Sequence, residues 1–123
     1  MQRDLLKKQW GFKGFVVSDW GSVGEMINHG YSKDNKEAAM QAANAGSDMD
    51  MESRSYLPHL AQLIKEGKVK MAVIDDAVKR ILKKKFEMGL FDDPFKFSDE
   101  VREKAQWNNT THLEASKDMA RKS

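Results

Sequence analysis

The sequence predicts an α/β fold with a parallel sheet, and three observations predict it. A compact apolar run at Phe15, Val16 and Val17 and a short stretch near Asp48 to Met51 stand where strands would. A helical pattern lies between them and two more follow. Glycines punctuate the joints at Gly11, Gly14, Gly46, Gly67 and Gly89. Strands alternating with helices argue for βαβ units and a parallel sheet.

Taken in order, "DLLKKQ" reads as the end of a helix, with Leu5 and Leu6 its apolar residues. Phe15 to Ser18 reads as a strand buried on both faces, because a short β-branched and aromatic run bounded by glycines fits that setting. "GSVGEMINHGY" reads as loop on the strength of its three glycines. A helix then begins at Asp34, an N-cap with Glu37 three residues on, the spacing of a capping box. Ala38, Ala39, Ala42 and Ala43 give it a thin face for close packing, and Gly46 stops it.

"SDMDM" follows at 47–51. Aspartate is depleted in strands, but the position between two helices predicts one near Asp48 to Met51. In "SYLPHLAQLIKEG", Leu57, Leu60, Ala61 and Ile64 fall at i, i+3, i+4 and i+7, one helical face. Pro58 sits in the first turn, where its missing N–H costs little. A third helix covers Met71 to Met88, lined by Ile74, Ala77, Val78, Ile81, Leu82 and Phe86. Pro94 ends any helical reading. Residues 94–123 read as a polar linker with two short helices, capped by Ser98 and Thr111.

Two strands cannot make a stable parallel sheet alone. The 123 residues therefore read as part of a larger α/β structure, since a complete (β/α)₈ barrel takes roughly 250 residues. A net charge of +2 predicts no obligatory acidic partner. The absence of cysteine excludes a disulfide framework and cysteine-based metal sites or catalysis, and suits cytoplasm and periplasm equally. No apolar run is long enough to span a membrane. "MQRDLLKKQW" lacks the apolar centre of a signal peptide, so the signal of any exported parent lies outside this chain.

The apolar run at Phe15 ends abruptly on Ser18, Asp19 and Trp20. In parallel α/β architectures active sites lie at the carboxyl ends of strands. A carboxylate there faces a pocket, and a tryptophan beside it offers a flat face for stacking on a sugar ring. Asp48 and Asp50 end the second segment in the same layer. Aspartate beside an aromatic at such a mouth suggests glycoside hydrolysis by paired carboxylates. On the residues alone a second reading stays open: Asp19 caps the following turn, because Ser-Asp before glycine is ordinary turn chemistry.

"WGFKGFVVSDWG" closely resembles the nucleophile segment of glycoside hydrolase family 3, the β-glucosidase and β-xylosidase family. "EAAMQAANAGSDMDM" resembles that family's helix into its eighth barrel strand, and "LIKEGKVKMAVIDDAVKRILKKKFEMGLFDDP" the helices that finish the barrel. "HLEASKDMARKS" resembles the lead-in to its second domain. The resemblance covers nearly the whole chain in order. It implies a fragment of a (β/α)₈ TIM-like barrel, the last two β/α units, plus the start of an interdomain linker. Residues 1–93 would be the C-terminal portion of the barrel domain, and 94–123 the linker to a second domain outside this chain.

The resemblance also implies that Asp19 is the catalytic nucleophile of a retaining β-glycosidase that works through a covalent glycosyl-enzyme, and that Trp20 lines the sugar pocket. The acid/base would come from the second domain and the sugar-gripping residues from earlier barrel strands, so the isolated chain is expected to be inactive. It implies no metal and no cofactor, a β-glucoside or oligosaccharide as partner, neither nucleic acid nor membrane, and a periplasmic or secreted parent.

The other candidates read as structural. Asp48 and Asp50 are expected to bond backbone at the strand end, since two more acids in the pocket would oppose ionisation of the nucleophile. His29, His59 and His112 lack metal-ligand spacing. Glu25 and His29 border the pocket or pack the loop. Asp75 and Asp76 suit a helix start. "KRILKKKF" suits a solvated helix end, and the sequons at 108–111 have no meaning in a bacterial-type protein. Two alternative functions remain: a non-catalytic interaction or regulatory module derived from a barrel, and a small basic nucleic-acid binder resting on "KRILKKKF".

Overall fold

A computed structural model describes residues 2–107 and 109–123. They form two compact units, one running to Met88 and one from Gly89 onward. The first holds a π-helix over Gln2–Gln9, α1 at Ser22–Asn28, α2 at Asn35–Ala45, α3 at Tyr56–Lys65 and α4 at Met71–Glu87. The second holds α5 at Glu100–Gln106 and α6 at Thr110–Lys122.

The two expected strands meet side by side and parallel, at one bridge between Val17 and Met49. Neither extends into a strand among the described residues. The pairing and its direction agree with the βαβ order, but the expectation of burial on both faces does not. Val17 is 39% exposed and Met49 also reaches solvent, because no further segment packs over the bridge among the described residues of the first unit.

α2 is the centre of the first unit. Asp34 caps it as the capping-box spacing predicts, its Oδ1 accepting from Glu37 N–H at 2.8 Å. Glu37 reaches back one residue further, to Lys33 N–H at 2.9 Å. The alanine face is fully used. Ala39 and Ala43 pack with Leu63 and Val69 in one cluster, while Ala38 and Ala42 pack with Val23 in another. Tyr56 touches both clusters.

Gly46 ends α2 at φ 106°. A Cβ there would lie 3.0 Å from Arg3 N and 3.2 Å from Arg3 Cα, so only glycine lets the π-helix come this close. Arg3 uses the approach to cap α2, donating to the carbonyls of Asn44 at 3.0 Å and Ala43 at 2.9 Å. A cation at a helix C-terminus also complements the dipole.

Several local expectations are corrected. Residues 22–28 are helix, not loop. Gly21 in the left-handed region starts α1, and Gly24 lies inside it. The N-terminal helix buries Lys7 and leaves Leu5 and Leu6 half-buried. The buried stripe of α3 is Tyr56, Leu60, Leu63 and Ile64. Leu57 is 94% exposed, because the side facing α2 is rotated from the face of Leu57 and Ala61. On α4 only Ala77 of the expected stripe is fully buried, and Val78, Leu82 and Phe86 are exposed. The caps of α5 and α6 fall one and two residues from those expected: Asp99 accepts from Arg102 N–H at 3.0 Å, and Asn109 from Thr111 N–H at 3.0 Å. A carboxylate or amide at those positions outcompetes the neighbouring hydroxyl for the free N–H groups.

Two measurements test this packing. Leu63→Ala is expected to destabilise the first unit by about 2–4 kcal/mol in chemical denaturation, and Leu57→Ala by less than about 0.5 kcal/mol. Burial raises the Tyr56 hydroxyl from 10.0 to about 12. Its folded-state pKa lies above the unfolded one, so its stabilisation is complete below pH 10 and lost as pH rises through 12. The melting temperature should fall over that window in the native sequence and fall less in Tyr56→Phe.

Candidate active site

The segment that carries Asp19 is held before it reaches the bridge. Arg80 of α4 donates to the carbonyls of Phe12 at 3.0 Å and Gly14 at 2.9 Å. Asp76 orients that guanidinium through its Nε at 2.9 Å. The helix-start role expected for Asp75 and Asp76 does not hold, since the first turn of α4 contains no acid. Asp76 sits one turn in, where an i,i+4 pair with Arg80 can form.

Asp48 is the next anchor. Its Oδ1 accepts from Lys7 Nζ and its Oδ2 from Val16 N–H at 2.8 Å. Both members of the Lys7–Asp48 pair are almost fully buried. One carboxylate thus joins the π-helix, the Phe15–Ser18 segment and the segment after α2. Asp50 works on the next turn, its Oδ2 accepting from Ser55 N–H at 2.8 Å and Tyr56 N–H at 3.2 Å. It caps α3 from outside the helix, a role Ser55 does not fill. The backbone-bonding role expected for both aspartates is what their contacts show. The Lys7 partner is the part sequence reasoning missed, since a lysine among the helix-end charges carries no mark of burial.

Asp19 differs from both. It is exposed, and its Oδ1 accepts from Trp20 N–H at 2.7 Å. Its carbonyl accepts from Ser22 N–H at 3.2 Å, which begins α1. The turn-capping reading is therefore realised for part of the side chain, while among the described residues no cation or buried amide from elsewhere claims it. Trp20 is 69% exposed beside it. Val17, Ser18, Asp19, Ser22, Val23 and Met26 line a cavity of about 300 Å³.

The remaining candidates stay apart from this turn. Glu25 and His29 are exposed and joined only by the His29 N–H to Glu25 carbonyl bond of α1. Lys83 and Lys84 of "KRILKKKF" pair with Glu87 at 3.7 and 2.5 Å, and the Lys84 contact holds the Glu87 carboxyl below its ordinary range. A cavity of about 230 Å³ at the start of α2 is ringed by Lys33, Lys36 and Lys68. Lys36 and Lys68 are satisfied there by Glu66 at 2.6 and 3.3 Å. Among the described residues no three His, Asp or Glu side chains cluster closely enough to hold a metal ion, and no helix is long and apolar enough to cross a membrane. The sequon run begins at Asn108, which lies outside the described residues.

Residues 1–84 match the glycosyl hydrolase family 3 N terminal domain. The chain belongs to that family. It is 42% identical over 126 residues to the periplasmic beta-glucosidase of Salmonella typhimurium, covering 98% of this chain and 16% of that protein. A putative beta-xylosidase of Formosa agariphila is 32% identical, over 94% of this chain and 15% of its own length. The beta-glucosidase of Listeria innocua in complex with isofagomine superposes with a TM-score of 0.75 at 43% identity, over 77% of this chain and 13% of the enzyme. A mutant of the same enzyme in complex with laminaribiose gives 0.76 at 40%, over 82% and 14%. The chain thus spans about one sixth of the length of these family 3 proteins.

The anchor can be tested by denaturation. Asp48→Ala leaves the Lys7 ammonium buried without a partner and is expected to cost about 3–5 kcal/mol. Replacing both residues by apolar ones of similar size, Lys7→Met with Asp48→Leu, should recover part of that loss.

Proposed function

We propose that this chain is part of a retaining β-glycosidase, β-glucosidase-like, in which Asp19 is the nucleophile. The observation that carries the reading is the division among three aspartates at two adjacent segment ends. Asp48 is paired with Lys7, and Asp50 is turned inward, one oxygen held by two backbone amides and the other buried. Asp19 is exposed, bonds only its neighbour's amide and lines a cavity next to an exposed tryptophan.

In the proposed reaction an Asp19 carboxylate oxygen attacks the anomeric carbon of a terminal β-linked sugar. The glycosidic C–O bond breaks, and the leaving oxygen takes a proton from a second carboxylic acid. Water then attacks the same carbon, gives its proton to that second group and releases Asp19, so configuration is retained. Such an acid must stand about 5–5.5 Å from the nucleophile, and the two other aspartates nearby hold Lys7 and backbone amides instead. We assign it to the rest of the polypeptide, together with the remaining sugar contacts. Trp20 supplies a face for the sugar ring. We read residues 1–93 as the last two β/α units of a (β/α)₈ barrel and 94–123 as a linker, and exposed Val17 and Met49 support further barrel elements beside the bridge. The relative named a periplasmic beta-glucosidase supports a periplasmic or secreted enzyme. The sugar-binding relative supports a β-glucoside as substrate.

In the full-length enzyme, Asp19→Ala should abolish glycosyl-enzyme formation while the fold persists. Azide should restore turnover of an aryl β-glucoside with a good leaving group. Its nitrogen attacks the anomeric carbon as the phenolate departs, and one displacement gives the α-glycosyl azide. Asp48→Ala and Asp50→Ala should show no rescue, and the 123-residue chain alone should not hydrolyse the substrate. Near wild-type activity of the Asp19 variant without azide would remove Asp19 from this role.

A further inference from the structure

The two bridged segments pair in parallel up to Ser18, with the Val16 carbonyl also accepting from Asp48 N–H at 2.8 Å, and the ladder then breaks in a specific way. Met49 N–H donates to the Val16 carbonyl at 3.1 Å, and Ser18 N–H to the Met49 carbonyl at 3.0 Å. In an evenly spaced parallel ladder the next bond would run from Met51 N–H to the Ser18 carbonyl. The one after would run from Trp20 N–H to the Met51 carbonyl. Neither forms. Met51 N–H donates instead to the Ser18 hydroxyl at 2.9 Å. The Met51 carbonyl accepts from Gly21 N–H at 2.9 Å, one residue later than the ladder requires.

The Ser18 side chain therefore stands in for its own backbone carbonyl, and one residue is gained on the Asp19 side. Two consequences follow. Trp20 N–H, which the ladder would have used, is free to donate to Asp19 Oδ1 at 2.7 Å. The Ser18 hydroxyl, while accepting from Met51, donates its own proton to the Asp19 carbonyl at 2.9 Å. The peptide that follows the Asp19 Cα is thus tied at both its groups, its carbonyl to the hydroxyl and its N–H to the carboxylate itself. The glycine that follows completes the exit, since Gly21 sits at φ 73°, where a side chain would be strained.

We infer that Ser18 is a positioning residue for the proposed reaction. Its hydroxyl ends the ladder one step early, and this aims the Asp19 carboxylate and reserves the Trp20 amide for it. The inference rests on the reading of Asp19 as nucleophile. A hydroxyl is required rather than a small side chain, because the same oxygen must accept from Met51 and donate to Asp19.

The test is a double-mutant comparison in the full-length enzyme, with an activated aryl β-glucoside as substrate. Ser18→Ala in the native background is expected to lower kcat about 10–100-fold, the scale of a nucleophile misplaced by a fraction of an ångström to an ångström, with KM within about twofold. Ser18→Thr, which keeps the hydroxyl, should retain most of kcat. In Asp19→Gly with azide there is no carboxylate left to aim, so adding Ser18→Ala should leave the azide-dependent rate within about twofold. An equal loss in both backgrounds, or a Ser18→Ala protein that does not fold, would make Ser18 a support of the pocket or the fold and overturn the proposal. So would a loss in Ser18→Thr as large as in Ser18→Ala. Full activity of Asp19→Gly without azide is a different failure. It would overturn the nucleophile reading itself, whatever Ser18 does.

Discussion

The Asp48 carboxylate is the contact through which the first unit is assembled. Its two oxygens take bonds from Lys7 on the π-helix and from the Val16 amide, and its own backbone belongs to the segment after α2. Pairing at the Val17–Met49 bridge requires the two segments to be held in register. One bridge supplies too few ladder bonds to do that alone. A charged acceptor bonded to a backbone N–H two residues before the strand end fixes the register from the side, and Arg80 fixes the incoming turn from α4. Desolvating two charges costs several kcal/mol per ion before the pair recovers it. That cost is tolerable because both oxygens of the acceptor are used.

Close packing around α2 follows from the same arrangement. The π-helix must approach α2 for Lys7 to reach Asp48. Gly46 makes the approach possible, and Arg3 satisfies the carbonyls that the approach would otherwise bury. The alanine face lets α1, α3 and α4 close in from the other side. Val17, Met49, Val78, Leu82 and Phe86 lie outside this packing and remain exposed.

Much of this was legible in the sequence where one residue type has one dominant physical role. Asp34 with Glu37, Gly46 after the alanine run and the 3.6-residue periodicity of α4 were readable, as was the parallel order of the two segments. The family kinship of the Asp19 segment was readable only by resemblance, because Ser-Asp before glycine also describes a plain turn. The misses share a cause. α1 is hidden in the sequence because Gly21 marks its start and Gly24 lies inside it, and glycine is a poor helix former. The α3 stripe was drawn through Leu57 instead of Leu63, since periodicity finds a face but not which neighbour it meets. Lys7 acts through a partner 41 residues away, and no local pattern encodes such a pairing.

The loop after Asp50 shows how the two segment ends depend on each other. Glu52 and Arg54 both lie in the left-handed region, at φ 66° and 56°, and neither is a residue that favours it. Left-handed backbone costs such residues roughly 1–2 kcal/mol each, and it persists only where the surroundings over-determine it. Here the loop is fixed at both ends. On the far side Asp50 Oδ2 holds Ser55 and Tyr56. On the near side Met51 is held by the Ser18 hydroxyl and by Gly21 N–H. The near anchors are the residues that flank Asp19 and Trp20. Strain in the Glu52–Arg54 loop and the geometry of the Asp19 turn are therefore parts of one balance. Relaxing the loop would withdraw Met51 from Ser18 and Gly21, the two residues that hold the Asp19 turn on either side.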